Sequence, residues 1–204
     1  MKRILLLSVL FLAILSCVPV VTFDRTQPEG VDSLTVIPKK LVGKYISKNG
    51  VTNLIIESKR MIMHYDYEIK LPRDSTNWDN LTAEEKSCFR LENDSVIEHV
   101  VDVDTIFEIS EDMVLKKFKG YYFLNTRKKG NSWYVQKLQL NKGMLTIGSI
   151  STKDELKTLD KVNESPVDTT TYQVSFNRKQ FHEYIDNEGF TKVDTFLRVN
   201  QTHH

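Results

Sequence analysis

Few side chains in this sequence have the types and spacing that catalysis or metal binding requires. No His-x-x-x-His or His-Glu-x-x-His spacing occurs among the five histidines, which are His64, His99, His182, His203 and His204. A serine hydrolase needs a nucleophile with a base and oxyanion donors, and the Gly-x-Ser-x-Gly turn is absent. The sequence therefore predicts no catalytic residue, no metal site and no cofactor.

Two carboxylates, Asp102 and Asp104, flank Val103 in a segment that has the composition of a turn. Calcium takes several hard oxygen ligands of this kind. The twelve-residue loop with a central Gly and a terminal Glu is missing around them. A solvated turn with two acids is the preferred interpretation.

The N-terminal residues have the chemistry of an export signal. Residues 1–3 supply two positive charges, and residues 4–15 are apolar except for Ser8. These are the charged and hydrophobic regions of a signal peptide. The apolar run extends to about Val21 with Pro19 inside it, whereas a membrane-spanning helix needs ~20 consecutive apolar residues. A cleaved signal peptide is therefore the preferred prediction.

The hydrophobic region ends in Ile14-Leu15-Ser16-Cys17. This segment resembles the bacterial lipobox, in which an aliphatic residue, a small residue and the lipidated cysteine stand in this order. The resemblance implies cleavage after residue 16, lipid on Cys17 and, because Val18 is no retention signal, residence in the outer membrane. The alternative is an ordinary signal peptide that is cut a few residues later. With Cys17 lipidated, Cys88 has no intrachain disulfide partner.

The rest of the chain predicts a mainly β fold. Residues 17–40, with recurring prolines, predict a lipidated cysteine and a tether. Between residues 41 and 204, short β-rich runs alternate with turns such as Asn49-Gly50, which predicts a single domain built as an antiparallel meander, either barrel or sandwich. Two short helices are expected near the C-terminus, one opening at Ser151-Thr152-Lys153-Asp154 and ending near Val162, the other spanning 178–187.

The order of these elements resembles that of lipocalin-like proteins. Gly43-Lys44-Tyr45 begins the first clear strand, where those proteins carry Gly-x-Trp, and helix 178–187 precedes a closing strand at 191–199. The resemblance implies an up-and-down barrel with a helix packed against it. It concerns the architecture more than the function.

One predicted strand has a face suited to an apolar ligand. Period-two alternation places Met61, Met63, Tyr65 and Tyr67 on the same side. Methionine is common on adaptable binding surfaces, and small barrels can enclose one ligand. We therefore consider a cavity lined by these four side chains and Tyr45. A filled core is the alternative interpretation.

Charge is distributed unevenly along the middle of the chain. Residues 91–115 contain eight acids and no Lys or Arg, and residues 116–153 contain nine basic residues and no acid. Adjacent strands of a meander would pair these blocks and fix the register. A bipolar surface that docks a partner is the second possibility. The net charge of +1 gives no sign of nucleic-acid binding.

The sequence thus predicts a lipid-anchored protein of the cell envelope. Its expected role is non-enzymatic, the binding of an apolar ligand or of an envelope partner. A structural or assembly role in an outer-membrane complex is the alternative, and an enzyme acting on envelope polymers is a third hypothesis.

Overall fold

The computed structural model describes residues 20–76, 78–87, 89–163 and 172–199. Within these ranges the chain forms thirteen strands and three α-helices. The strand pairs are antiparallel, apart from one short parallel pair near the N-terminus. The predicted mainly antiparallel β fold is confirmed, and the strand content is consistent with a barrel or a sandwich.

The elements are numbered in chain order. The strands are β1 Thr22–Phe23, β2 Ser33–Leu34, β3 Gly43–Ser47, β4 Thr52–Ile56, β5 Arg60–Pro72, β6 Phe89–Glu92, β7 Ser95–Glu108, β8 Met113–Phe118, β9 Tyr121–Arg127, β10 Trp133–Asn141, β11 Met144–Ser149, β12 Gln173–Val174 and β13 Lys192–Arg198. The helices are α1 Ala83–Ser87, α2 Lys153–Val162 and α3 Arg178–Asp186. No helix within the described ranges is long and apolar enough to cross a membrane.

The chain divides into two compact units. The first unit takes the described residues within 1–34, 111–139 and 147–193, and the second takes those within 35–110, 140–146 and 194–204. The sequence predicts a single domain over residues 41–204. The division is not visible along the sequence because each unit is assembled from segments that are far apart in the chain.

The first unit packs helices α2 and α3 on a small sheet. Its strand order includes β2-β8-β9-β10, and β1 pairs with both β10 and β12. The core is rich in aromatic rings, with Phe123 and Phe181 in edge-to-face contact at a centroid distance of 5.0 Å. Such ring pairs add to the hydrophobic stabilisation of the core.

The segment predicted to be a tether is part of this first unit. Val21 and Phe23 are buried in its core, and β2 pairs with β8. The buried side chain of Asn125 accepts a hydrogen bond from the backbone N–H of Gln27 at 2.6 Å and donates one to the Gln27 carbonyl at 2.9 Å. Parts of the segment 21–34 therefore pack on the first unit and form backbone hydrogen bonds with it.

Helix α2 begins one residue later than the expected motif. The capping box consists of Thr152 and Glu155, not Ser151 and Asp154. The buried carboxylate of Glu155 accepts hydrogen bonds from the N–H groups of Ser151 and Thr152, and from the N–H and hydroxyl of Thr191. Glu155 therefore joins the start of α2 to the segment that follows α3.

The second unit is an antiparallel sheet with strand order β13-β3-β4-β5-β7-β6. β3 and β4 have five residues each, whereas β5 has 13 and β7 has 14. β4 pairs with β5 as far as Tyr65, and β7 pairs with β5 along its whole length. The two long strands therefore extend beyond the short ones.

We expect Glu155→Gln to lower the free energy of unfolding by ~3 kcal/mol, because an amide NH₂ would face donors that now bond to a buried carboxylate. Denaturant melts followed by circular dichroism measure this. Asp160→Asn, on the exposed side of the same helix, is the matched control and should leave the midpoint unchanged. Equal midpoints for both variants would contradict the role given to Glu155.

Candidate functional site

The face of β5 that carries Met61, Met63, Tyr65 and Tyr67 is closed at one end and open at the other. Alternation along a strand places these four side chains on one side of the sheet. Their exposure increases along the strand: Met61 is buried, Met63 and Tyr65 are half-buried, and Tyr67 is 36% exposed. The five residues predicted to line one cavity, these four and Tyr45, therefore lie in two different environments.

The closed end is a packed core. Met61 lies between Ile56 on β4 and Phe107 on β7, and all three side chains are at most 1% exposed. Tyr45 pairs with Leu54 in the next row, and both are fully buried. Met61 and Tyr45 are therefore part of the hydrophobic core of the second unit, which corresponds to the filled-core alternative.

Tyr45 is held in this core by Arg198 from the last strand. The Tyr45 hydroxyl donates to the Leu41 carbonyl at 2.7 Å and accepts from Nη2 of Arg198 at 2.9 Å. The same guanidinium lies over the Tyr45 ring at 5.3 Å and donates to the carbonyls of Lys40 and Val42. Burial raises the pKa of Tyr45 above its usual range, so the phenol stays protonated and able to donate.

Gly43 gives the Gly43-Lys44-Tyr45 motif a physical explanation. Its φ of +152° is rarely adopted by residues with a side chain, and an added Cβ would lie 3.5 Å from the Arg198 guanidinium. The backbone conformation is therefore what requires glycine here, since a Cβ at this distance from Arg198 would make an ordinary van der Waals contact.

The open end is aromatic and acidic. Asp104 stands opposite Met63, Asp102 opposite Tyr65 and Val100 opposite Tyr67. Asp194 projects on the same side of β13 as the buried Phe196, two residues away. We name the group Met63, Tyr65, Tyr67, Asp102, Asp104 and Asp194 the acidic aromatic face.

The carboxylates of this face act on the Tyr65 phenol. The pKa of Tyr65 is raised, first by burial and then by the negative charges of Asp104, Asp102 and Asp194. A phenolate would be repelled by all three charges. The open end therefore carries a negative potential beside two tyrosine rings, an environment that favours cations.

Asp102 and Asp104 are not at a turn. They lie inside β7, which runs without a break from Ser95 to Glu108. In a strand, residues two apart share a face, so both carboxylates project toward Tyr65. The sequence signal for this placement is the alternation of valine and aspartate from Val101 to Asp104.

The acidic and basic blocks meet where β8 pairs with β9, with residues 113–115 of the acidic block opposite residues 124–126 of the basic block. β7 pairs with β5 and β6, whereas β8 pairs with β2 and β9. An ion pair of 2.7 Å between Arg127 and Asp112 joins the two blocks locally. Cross-strand charge pairing between the blocks is therefore seen at Arg127 and Asp112, whereas the acids of β7 face β5 and β6.

The histidines of the described chain do not converge on one site. His99 contacts Asp66 at 2.7 Å on the exposed surface of the second unit, and His182 contacts Asp186 at 3.3 Å in the first unit. His64 projects from the opposite side of β5 to Tyr65. The described residues contain no group of three or more His, Cys, Asp or Glu that could hold a metal ion. Cys17, Cys88, His203 and His204 lie outside the described residues.

Comparisons with family models, with curated proteins and with solved structures find no match to this chain.

We expect Met61→Ala to lower the free energy of unfolding by ~2–5 kcal/mol, because it leaves a cavity in a closed core. Met63→Ala should cost about 1 kcal/mol, since its side chain is only half-buried and the space left is open to water. Urea melts of the two variants against the parent measure the difference. Equal losses of unfolding free energy in the two variants would mean that Met63 also lies in the closed core.

Proposed function

We propose that this protein is a lipoprotein of the cell envelope, anchored by lipid on Cys17 and residing in the outer membrane. We propose further that its role is non-enzymatic and that the second unit binds an envelope partner through the acidic aromatic face. The observation that carries the partner-binding role is the change along β5 from a filled core to an exposed face.

The anchor is supported by the lipobox-like segment Ile14–Cys17 and by the position of the first buried residue. Val21 is buried in the first unit, four residues after Cys17. Four extended residues span at most ~14 Å. Lipid on Cys17 would therefore hold the first unit close to the bilayer surface. Stable anchoring needs two or more acyl chains, since a single chain binds membranes only marginally.

A binding role is supported by the surface that the second unit exposes. Tyr rings are amphipathic and are common where proteins recognise partners. Tyr65 and Tyr67 are presented on paired strands, so their positions are set before any partner arrives. Binding of an apolar ligand in a cavity is less well supported, because Tyr45, Met61 and Phe107 are buried side chains of a packed core.

A role in assembly is the second candidate function. The opposite side of the same sheet exposes apolar residues, with Val101 at 67%, Val103 at 56% and Leu197 at 46%. On this side Leu197 pairs with Ile46, and Val103 pairs with His64. Exposed apolar side chains grouped on one surface are found at interaction sites.

The anchor is tested by metabolic labelling with a fatty-acid analogue. Cys17→Ala should abolish labelling and release the protein from membranes or leave an uncleaved precursor, because the thiol is the attachment point. Cys88→Ala is the matched control and should label as the parent does. Undiminished labelling of the Cys17→Ala variant would refute the lipoprotein proposal.

A further inference from the structure

We propose that the acidic aromatic face docks a positively charged, extended segment of a partner protein. This inference deepens the proposed partner-binding function and rests on it. It names the chemistry of the partner: a strand-like stretch in which Arg or Lys recurs at every second position.

The aromatic part of the face is suited to cations. The faces of Tyr rings attract Lys and Arg side chains within about 6 Å. The first unit already has such contacts, with Arg127 at 4.5 Å from the Trp133 ring and Lys128 at 5.5 Å from the Tyr134 ring. The rings of Tyr65 and Tyr67 lie instead beside carboxylates.

The carboxylates of the face have no cationic partner in the described part of the chain. Neither Asp102, Asp104 nor Asp194 forms an ion pair there. Other acids of the second unit do form ion pairs, as Glu57 does with Arg60 at 2.6 Å and Asp79 with Arg73 at 2.6 Å. The negative charge at Tyr65 is therefore uncompensated within the described chain and complements a basic partner.

The spacing of the carboxylates sets the shape of that partner. Asp102 and Asp104 lie two residues apart on β7, a separation of about 7 Å along a strand. Side chains at alternate positions of an extended segment repeat at the same distance. Two alternate cations of the segment can therefore meet the two carboxylates while their stems lie on Met63 and Tyr65.

The test uses the full-length protein purified in detergent and a synthetic eight-residue peptide of alternating Arg and Ser. We expect saturable binding that is lost when citrulline replaces Arg, because citrulline keeps the shape of the side chain and removes its charge. A peptide of the sequence Arg-Arg-Ser-Ser-Arg-Arg-Ser-Ser has the same charge but no two Arg residues at alternate positions, and it should bind more weakly. Fluorescence anisotropy of labelled peptides measures the dissociation constants.

Variants of the face distinguish this site from general attraction. Tyr65→Leu, and separately Asp102→Asn with Asp104→Asn, should each raise the dissociation constant about tenfold or more. Tyr65→Phe keeps the ring and should bind as the parent does, as should Asp160→Asn, which removes an exposed acid of the first unit. Circular dichroism of each variant establishes that the fold is retained.

Several results would overturn the proposal. They are the absence of saturable binding by the parent, unchanged binding by both face variants, an equal loss of binding in Asp160→Asn, and equal binding of the two Arg peptides.

A dimeric parent that becomes monomeric in the double Asp variant, measured by light scattering, would assign the face to a second copy of the chain instead. Binding in detergent does not depend on anchoring, so a failed labelling experiment at Cys17 and a failed peptide titration are separate outcomes.

Discussion

The arrangement of the second unit depends on the hydrogen bonds that the Arg198 guanidinium donates. The guanidinium reaches from the last strand to two backbone carbonyls, at Lys40 and Val42, and to the hydroxyl and ring of Tyr45. Hydrogen bonds from a charged donor are stronger than neutral ones. They offset the cost of the Arg198 Nε atom, which is buried with no hydrogen-bond partner in the described chain. Tyr45 is thereby fixed in the row that also contains Leu54 and Met63.

The open end follows from unequal strand lengths. On one side of β5, the five-residue strand β4 pairs with it from Met61 to Tyr65, and β3 pairs with β4 in turn. On the other side, β7 pairs with β5 as far as Pro72. Alternation keeps every second side chain of β5 on the same side of the sheet, also where the strand extends beyond the core. One strand therefore supplies both a part of the core and the exposed acidic aromatic face, on which the proposed partner-binding role rests.

The sequence predicts the local elements well and the pairing poorly. Period-two alternation identifies the face of β5, and the helices predicted to end near Val162 and to span 178–187 are observed at Lys153–Val162 and Arg178–Asp186. Strand register is a tertiary property that depends on which residues share the core. For this reason Asp102 and Asp104 are read as a turn, and their position opposite Tyr65 and Met63 is missed. The packing of residues 21–34 is missed for the same reason, because their partners on β8 and β9 lie about 80 to 100 residues away.

The central claim is that the Met61–Tyr67 face is closed at Met61 and open from Met63 onward. Mild peroxide oxidation, with each methionine quantified by mass spectrometry, tests it directly because oxidation follows exposure. Met144, which is 38% exposed in the same unit, provides the internal reference. We expect Met144 to oxidise first, Met63 more slowly, and Met61 only when the protein unfolds. Oxidation of Met61 at the rate of Met63 in the folded protein would contradict the account.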